Sequence, residues 1–228
     1  MSKDYTGLRA LIKIGSNIRI NEFLDGKMYM CHLSFFSKTL QSDHRLDRNE
    51  SIIQSFGSEK FEMFFNEKYI GIADNLKQYN DDKLLNTIKI FSMTGIYSIE
   101  NESKSRLSKK DIEERYYLSD ECLNFGEKAC IIFDVDEFFM RFKDAVKKTP
   151  FCAKAGPIKY INLNETYKSN LNTFGMVKDS AYKYQREYRL SLFTNCMKEE
   201  GYILDIGSIR DIAKVVDTND FNNHFKFR

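Results

Sequence analysis

Residues 182–193, Tyr-Lys-Tyr-Gln-Arg-Glu-Tyr-Arg-Leu-Ser-Leu-Phe, decide how the chain is read. Taken as one strand, they put Gln185, Glu187 and Arg189 on one face and Tyr184, Tyr188 and Leu190 on the other, because side chains alternate with a period of two. An amide two residues before a carboxylate and a guanidinium two residues after it aim three polar groups at one volume. Such a volume can hold a substrate. It can equally be a wet sheet surface, on which a Glu187–Arg189 pair contributes about 0–1 kcal/mol. The local pattern leaves both readings open.

A second segment carries a related pattern. Residues 87–97, Thr-Ile-Lys-Ile-Phe-Ser-Met-Thr-Gly-Ile-Tyr, set Ile88, Ile90, Ser92 and Thr94 on one strand face against Lys89, Phe91 and Met93, so the apolar half changes to hydroxyls midway. Upstream, residues 9–14 read as a first strand, Ile18 to Leu24 as a short helix stopped at Asp25-Gly26, residues 27–32 as a second strand and residues 33–40 as a helical turn. Residues 61–72, aromatic and β-prone, suit a hairpin or an irregular strand pair. A polar Ser/Lys/Glu-rich stretch, 100–115, reads as a mobile insertion. Beyond it come a strand at 128–133, an amphipathic helix at 135–147 and strands at 157–161, 173–177, 202–206 and 213–216. Several strands with few helices between them break strict β-α-β alternation. The expectation is a single α+β domain over residues 1–228, with mixed or antiparallel split sheets and a few flanking helices.

Composition narrows the classes. With 42% hydrophobic and 30% charged residues and only 2 prolines in 228, the chain can bury a sizeable core and does not read as a disordered linker. A formal net charge of +2 demands no polyanionic partner, so contact with RNA or DNA would rest on local patches. The cysteines, at 31, 122, 130, 152 and 196, are odd in number and never spaced Cys-x-x-Cys, which gives neither a disulfide framework nor a zinc site. No apolar signal core opens the sequence and no window approaches 18 consecutive apolar residues, so a cytoplasmic protein without membrane contact is expected. The glycine patterns that cradle dinucleotides and triphosphates are missing, and any nucleotide must be held differently.

Residues 43–50, Asp-His-Arg-Leu-Asp-Arg-Asn-Glu, gather three carboxylates, an imidazole and two guanidiniums. They read as a solvated loop, as a phosphate clamp using Arg45 or Arg48, or as part of a divalent-metal site in a nuclease. His32 and Cys31 are neighbours on a strand and point to opposite faces, which favours a core or interface histidine over a nucleophilic pair. The tail 222–228 interleaves aromatic and basic residues, as single-stranded nucleic-acid binders do, and also reads as a frayed terminus.

Ser92-x-Thr94 on one strand and Gln185-x-Glu187 on a later one, after a strand, a helix and a second strand, form an order that resembles ADP-ribosyltransferases of the Arg-Ser-Glu type. The run from Lys178 through Tyr182 into Tyr184-Gln-Arg-Glu-Tyr-Arg189 also looks like a Lys-led turn and strand shared by uncharacterised bacterial and phage proteins, a group that includes suspected toxins of phage-defence operons. The resemblance implies that fold, NAD as substrate, an RNA or protein acceptor, and an antitoxin protein as partner. It implies that Glu187 is the catalytic glutamate, binding a ribose hydroxyl of NAD and stabilising positive charge as the nicotinamide bond breaks, while Gln185 orients the acceptor. Ser92 and Thr94 would brace Glu187 and the nicotinamide ribose, and Lys13, Ser16, Tyr97, His32 and Arg45 would contact NAD. In that family the first strand offers Arg or His; here Lys13 stands at that depth, flanked by Arg9 and Arg19, and a lysine cannot make the forked contact of an arginine. A non-catalytic binding or regulatory protein on the same scaffold and a metal-dependent nuclease remain the alternative functions.

Overall fold

The computed structural model describes residues 5–38, 47, 49–99, 108–170 and 173–225. The order opens with β1 (Tyr5–Gly15), α1 (Asn17–Leu24), β2 (Lys27–His32) and α2 (Ser34–Lys38). Short strands β3 (Ile52–Phe56), β4 (Lys60–Phe65), β5 (Lys68–Asp74) and β6 (Lys77–Tyr79) lead through α3 (Asp82–Asn86) into the long β7 (Ile88–Ile99). Then follow α4 (Lys109–Tyr116), α5 (Asp120–Leu123), β8 (Lys128–Ile132), α6 (Val135–Lys147), β9 (Cys152–Pro157), β10 (Lys159–Ile161), β11 (Thr166–Lys168) and β12 (Val177–Asp179). A 3-10 turn, Ser180–Gln185, precedes β13 (Glu187–Phe193); β14 (Tyr202–Asp205), β15 (Ala213–Asp217) and a 3-10 segment, Thr218–His224, complete it.

These elements make a single α+β domain around an antiparallel sheet of order β14-β2-β7-β1-β8-β15, with β13 and β9 added from β7. One edge of β7 is held by β13 along residues 88–94. The opposite edge is shared: β2 pairs with residues 89 and 90, and β1 with residues 94–99. The sheet therefore forks, and the fork lies at Phe91, Ser92 and Met93.

Alternation along the strands gives the sheet two apolar faces. Leu11, Met28, Met30, Phe91, Met93, Leu190 and Leu192 pack with Phe23 of α1 and with Phe138 and Phe142 of α6. Ile12, Ile14, Ile96 and Ala129 pack on the other side with Leu118, Cys122 and Phe221. α6 forms because Val135, Phe138, Phe142 and Ala145 recur at helical spacing, and because Asp134 caps it by accepting from Glu137 N at 3.0 Å. Burying Phe138 and Phe142 contributes about 1.5–3 kcal/mol each.

Four local readings differ from the sequence expectation. Residues 180–185 are a 3-10 turn and not strand, and Arg186 takes a left-handed conformation with φ 45°, so β13 begins only at Glu187. Tertiary anchors override strand propensity there: the Asp179 side chain caps the turn through Ala181 N, and the Arg186 guanidinium donates to the carbonyls of Glu114, Arg115 and Tyr117. Within the stretch read as a mobile insertion, Lys109–Tyr116 is a helix closed by a capping box between Ser108 and Asp111; residues 100–107 lie outside the described residues. Residues 173–176 form a turn, and β12 starts at Val177. The segment read as a solvated loop sends Asp47 and Glu50 into the interior; residues 43–46 and 48 lie outside the described residues. The hairpin of β4 and β5 and α6 fall where the sequence places them.

Candidate active site at the fork of the sheet

A cleft of about 880 Å³ opens at the fork, within the size range of small-molecule sites. Fork geometry has a chemical cost, since a strand edge without a partner leaves backbone groups unbonded. Lys13 meets part of it: its ammonium donates to Ser92 O at 2.8 Å and lies 4.2 Å over the Phe91 ring. Lys13 of the first strand is thus placed at the fork and holds β1 to β7 where their ladder has ended.

On the cleft side, register fixes the polar groups. Glu187 lies opposite Thr94 and Arg189 opposite Ser92, so these four share a face of the β7–β13 pair. The Ser92 hydroxyl donates diagonally to Glu187 Oε1 at 2.5 Å. Gln185, at the end of the 3-10 turn, still reaches the same place, because Lys178 Nζ donates to Gln185 Oε1 at 2.8 Å and stands 3.3 Å from Glu187 Oε2. The Tyr160 hydroxyl accepts from Glu187 N at 2.8 Å and fixes the start of β13.

The acid at 187 belongs to a buried quartet. Arg189 Nε donates to Glu187 Oε1 at 2.6 Å, and Arg189 Nη1 to Gly175 O at 2.9 Å. Glu50 Oε1 stands 3.2 Å from both Lys178 Nζ and Arg189 Nη2. Two carboxylates and two cations, each with a side chain at most 4% exposed, make a neutral cluster. Burial alone would lift the Glu187 carboxyl, but Arg189 and Lys178, with the hydrogen bonds from Arg189 and Ser92, hold it far below the usual carboxylate range. Glu50 goes the other way: desolvation raises its carboxyl against the pull of the same two cations. For Lys178 the order is reversed again, since burial works to lower it while Glu187 and Glu50 together raise it. The site therefore holds one acid firmly ionised beside another whose carboxyl is raised by burial.

Of the residues singled out from the sequence, Lys13, Ser16, His32, Ser92, Thr94, Gln185 and Glu187 all line this cleft. Ser16 does so as the N-cap of α1, accepting from Arg19 N. His32 approaches from the opposite side of the sheet to Ser92: it pairs with Lys89, and its Nδ1 is bonded to Ser34 Oγ at 2.8 Å, with burial lowering its basicity. Tyr97 is not among the lining residues; its ring packs over Gly95, where a Cβ would sit 2.7 Å from the ring. Arg45 lies outside the described residues. The wet-surface reading of the 187–189 pair is overturned, because both side chains are buried.

Neither a protein-family signature, nor a curated protein, nor a solved structure matches this chain.

Sequence reasoning gave Lys178, Tyr160 and Glu50 no place beside Glu187. Lys178 leads the turn into the key strand, and its spacing to Glu187 becomes close only through the 3-10 turn. Glu50 stands two residues before Ile52, the first residue of β3, a position from which a carboxylate is carried inward. Among the described residues, no group of three or more His, Cys, Asp or Glu side chains converges as a metal-holding cluster. No helix among them is long and apolar enough to cross a membrane.

Proposed function

We propose that this chain is an NAD-dependent ADP-ribosyltransferase acting on a macromolecular acceptor, RNA or protein, with Glu187 as its catalytic carboxylate. One observation carries the reading: Lys13 of the first strand, the Ser92–Thr94 pair and the Gln185–Glu187 pair, far apart in sequence, meet in one cleft at a forked sheet. In the reaction, the bond between ribose C1′ and the nicotinamide nitrogen breaks, and its electron pair stays on nicotinamide, which leaves neutral. Positive charge develops on C1′ and the ring oxygen. A nucleophilic oxygen or nitrogen of the acceptor supplies the pair for the new bond and releases its proton.

A fixed anion beside the developing charge lowers that barrier, and it acts more strongly in a partly dry site than in water. Lys178 and Arg189 supply the condition for this, because without them burial would favour the neutral form of Glu187. Ser92 orients the carboxylate from the neighbouring strand. Gln185, held by Lys178, borders the same space, and its proposed part is to orient the acceptor. The setting of a phage-defence toxin neutralised by an antitoxin belongs to the same proposal and rests on the likeness of the segment from Lys178 to Arg189.

A second reading, a catalytically silent binding module, is favoured by the full engagement of Glu187, whose two oxygens already face Ser92, Arg189 and Lys178. The experiment that separates the two incubates the full-length chain with labelled NAD and cellular RNA or protein. Transfer of label supports the transferase; binding of NAD with no turnover supports the module.

A further inference from the structure

Glu50 is a buried carboxylate that the transfer, as described, leaves without a role. Its side chain is 0% exposed and lies 3.2 Å from both Lys178 Nζ and Arg189 Nη2, yet neither of its oxygens has a hydrogen bond among the described residues. Charge holds it, without the alignment of directed donors. Its backbone is nevertheless built into place. Glu50 N donates to Asp47 O at 3.1 Å, and the Asp47 carboxylate accepts from Asn49 N and from Asp179 N, each at 2.8 Å. That last bond ties the turn bearing Glu50 to the residue that follows Lys178.

The arithmetic of charge shows what Glu50 changes. Lys178 and Arg189 facing Glu187 alone would make the cluster +1; with Glu50 ionised it is neutral. The reacting ribose acquires positive charge next to Glu187, so a surplus cation there opposes the step. We propose that Glu50 is the charge-balancing residue of this site, engaging Lys178 and Arg189 so that the Glu187 carboxylate meets the developing cation without an excess of positive charge behind it. The proposal rests on the transferase reading. Glu50 acts through the two cations and is therefore a positioning residue, not a catalytic one.

The groups that face Glu50 are Lys178 from β12, Arg189 and Glu187 from β13, and Asp47 from its own turn. Desolvation raises the Glu50 carboxyl, Arg189 and Lys178 oppose this, and Glu187 and Asp47 add to it. Glu187 stays ionised far into acid. Of the two acids, Glu50 is the one whose neutral form burial favours and which protonates first as the pH falls.

The test is steady-state NAD cleavage by full-length wild type, Glu50→Gln and Glu50→Asp between about pH 5 and 9, with melting curves as the fold control. Wild-type kcat should fall on the acid side with a midpoint above the ordinary glutamate range. Glu50→Gln should lose roughly tenfold or more in kcat at neutral pH, keep its KM for NAD within about twofold, and lose the acid limb, because its cluster is +1 at every pH. Glu50→Asp should restore the rate and an acid limb, with the midpoint of that limb displaced from the wild-type one. A Gln variant that keeps the wild-type kcat, or keeps the acid limb as it would if His32 were the titrating group, overturns the proposal while leaving the transferase reading intact. Should the Gln variant fail to fold, the Asp variant decides: a displaced limb supports the role, and an unmoved limb contradicts it. A wild type that cleaves no NAD removes the transferase reading itself, and this role with it.

Discussion

Arg189 Nε donates to Glu187 Oε1 at 2.6 Å, two residues away on the same strand, with both side chains at most 4% exposed at the floor of the cleft. An ion pair this buried is retained only where its remaining polar atoms are satisfied, and here Ser92, Lys178, Gly175 and Glu50 surround it. The pair is the centre of the candidate site and also a point on which the fold depends.

Removing one partner leaves the other charges uncompensated. Glu187→Gln should therefore destabilise the chain by about 3–5 kcal/mol, measured by urea unfolding at neutral pH. Ser92→Ala, which removes one hydrogen bond to a charged group, should cost only about 1.5–3 kcal/mol. Equal stability of wild type and Glu187→Gln would mean that the quartet is solvated.

The two acids give opposite pH signs. Glu187, held below the ordinary value of 4.5, contributes stability that is complete above that value and is lost as the pH falls through its lower folded value. Glu50, raised above 4.5, favours the folded state at lower pH, and that contribution is lost as the pH rises through its higher folded value. Unfolding free energy measured against pH should show Glu50→Gln losing the decline on the alkaline side of this window while keeping the acid loss. An unchanged profile in that variant would contradict a raised Glu50.

Arg186 links the entry of β13 to the end of α4 by donating to the carbonyls of Glu114, Arg115 and Tyr117. Arg186→Ala should speed amide hydrogen exchange in residues 109–117 by exposing that helix to local opening, with little change in the β7–β13 ladder. Uniform acceleration across both elements would show that the guanidinium stabilises the whole domain and not this junction.

Gly126 faces the backbone of Gly15 at the rim of the cleft, where an added Cβ would lie 2.4 Å from the Gly15 carbonyl carbon. Backbone cannot yield as a flexible side chain does, so Gly126→Ala should shift the β1–β8 end of the cleft and lower the melting temperature. A melting temperature equal to that of wild type would show that this contact relaxes freely.

The parts of this arrangement that were legible in the sequence are those governed by local period. α1, α6 and the β4–β5 hairpin carry their apolar spacing and turn residues on the surface of the text, and Ser92 with Thr94 announces a polar half-strand. Gln185 and Glu187 do converge, but through a turn held by Asp179 and Arg186, whose anchors lie on other elements. Strand periodicity reached the right neighbourhood by the wrong local geometry. Glu50 was illegible for a different reason: a charged octapeptide reads as solvent-exposed unless its cationic partners, here 128 and 139 positions further on, are known. Composition records charge and not its compensation. Tyr97 shows the converse error, since an aromatic just past a polar motif suggested a ligand while the ring packs over Gly95.

The most direct measurement is release of nicotinamide from labelled NAD by the purified full-length chain, with cellular RNA or protein present, for wild type and for Glu187→Gln shown to be folded by circular dichroism. A catalytic role for Glu187 requires nicotinamide release and label on a macromolecule with wild type, and neither with Glu187→Gln. Equal release by both proteins, or none by wild type, would contradict it.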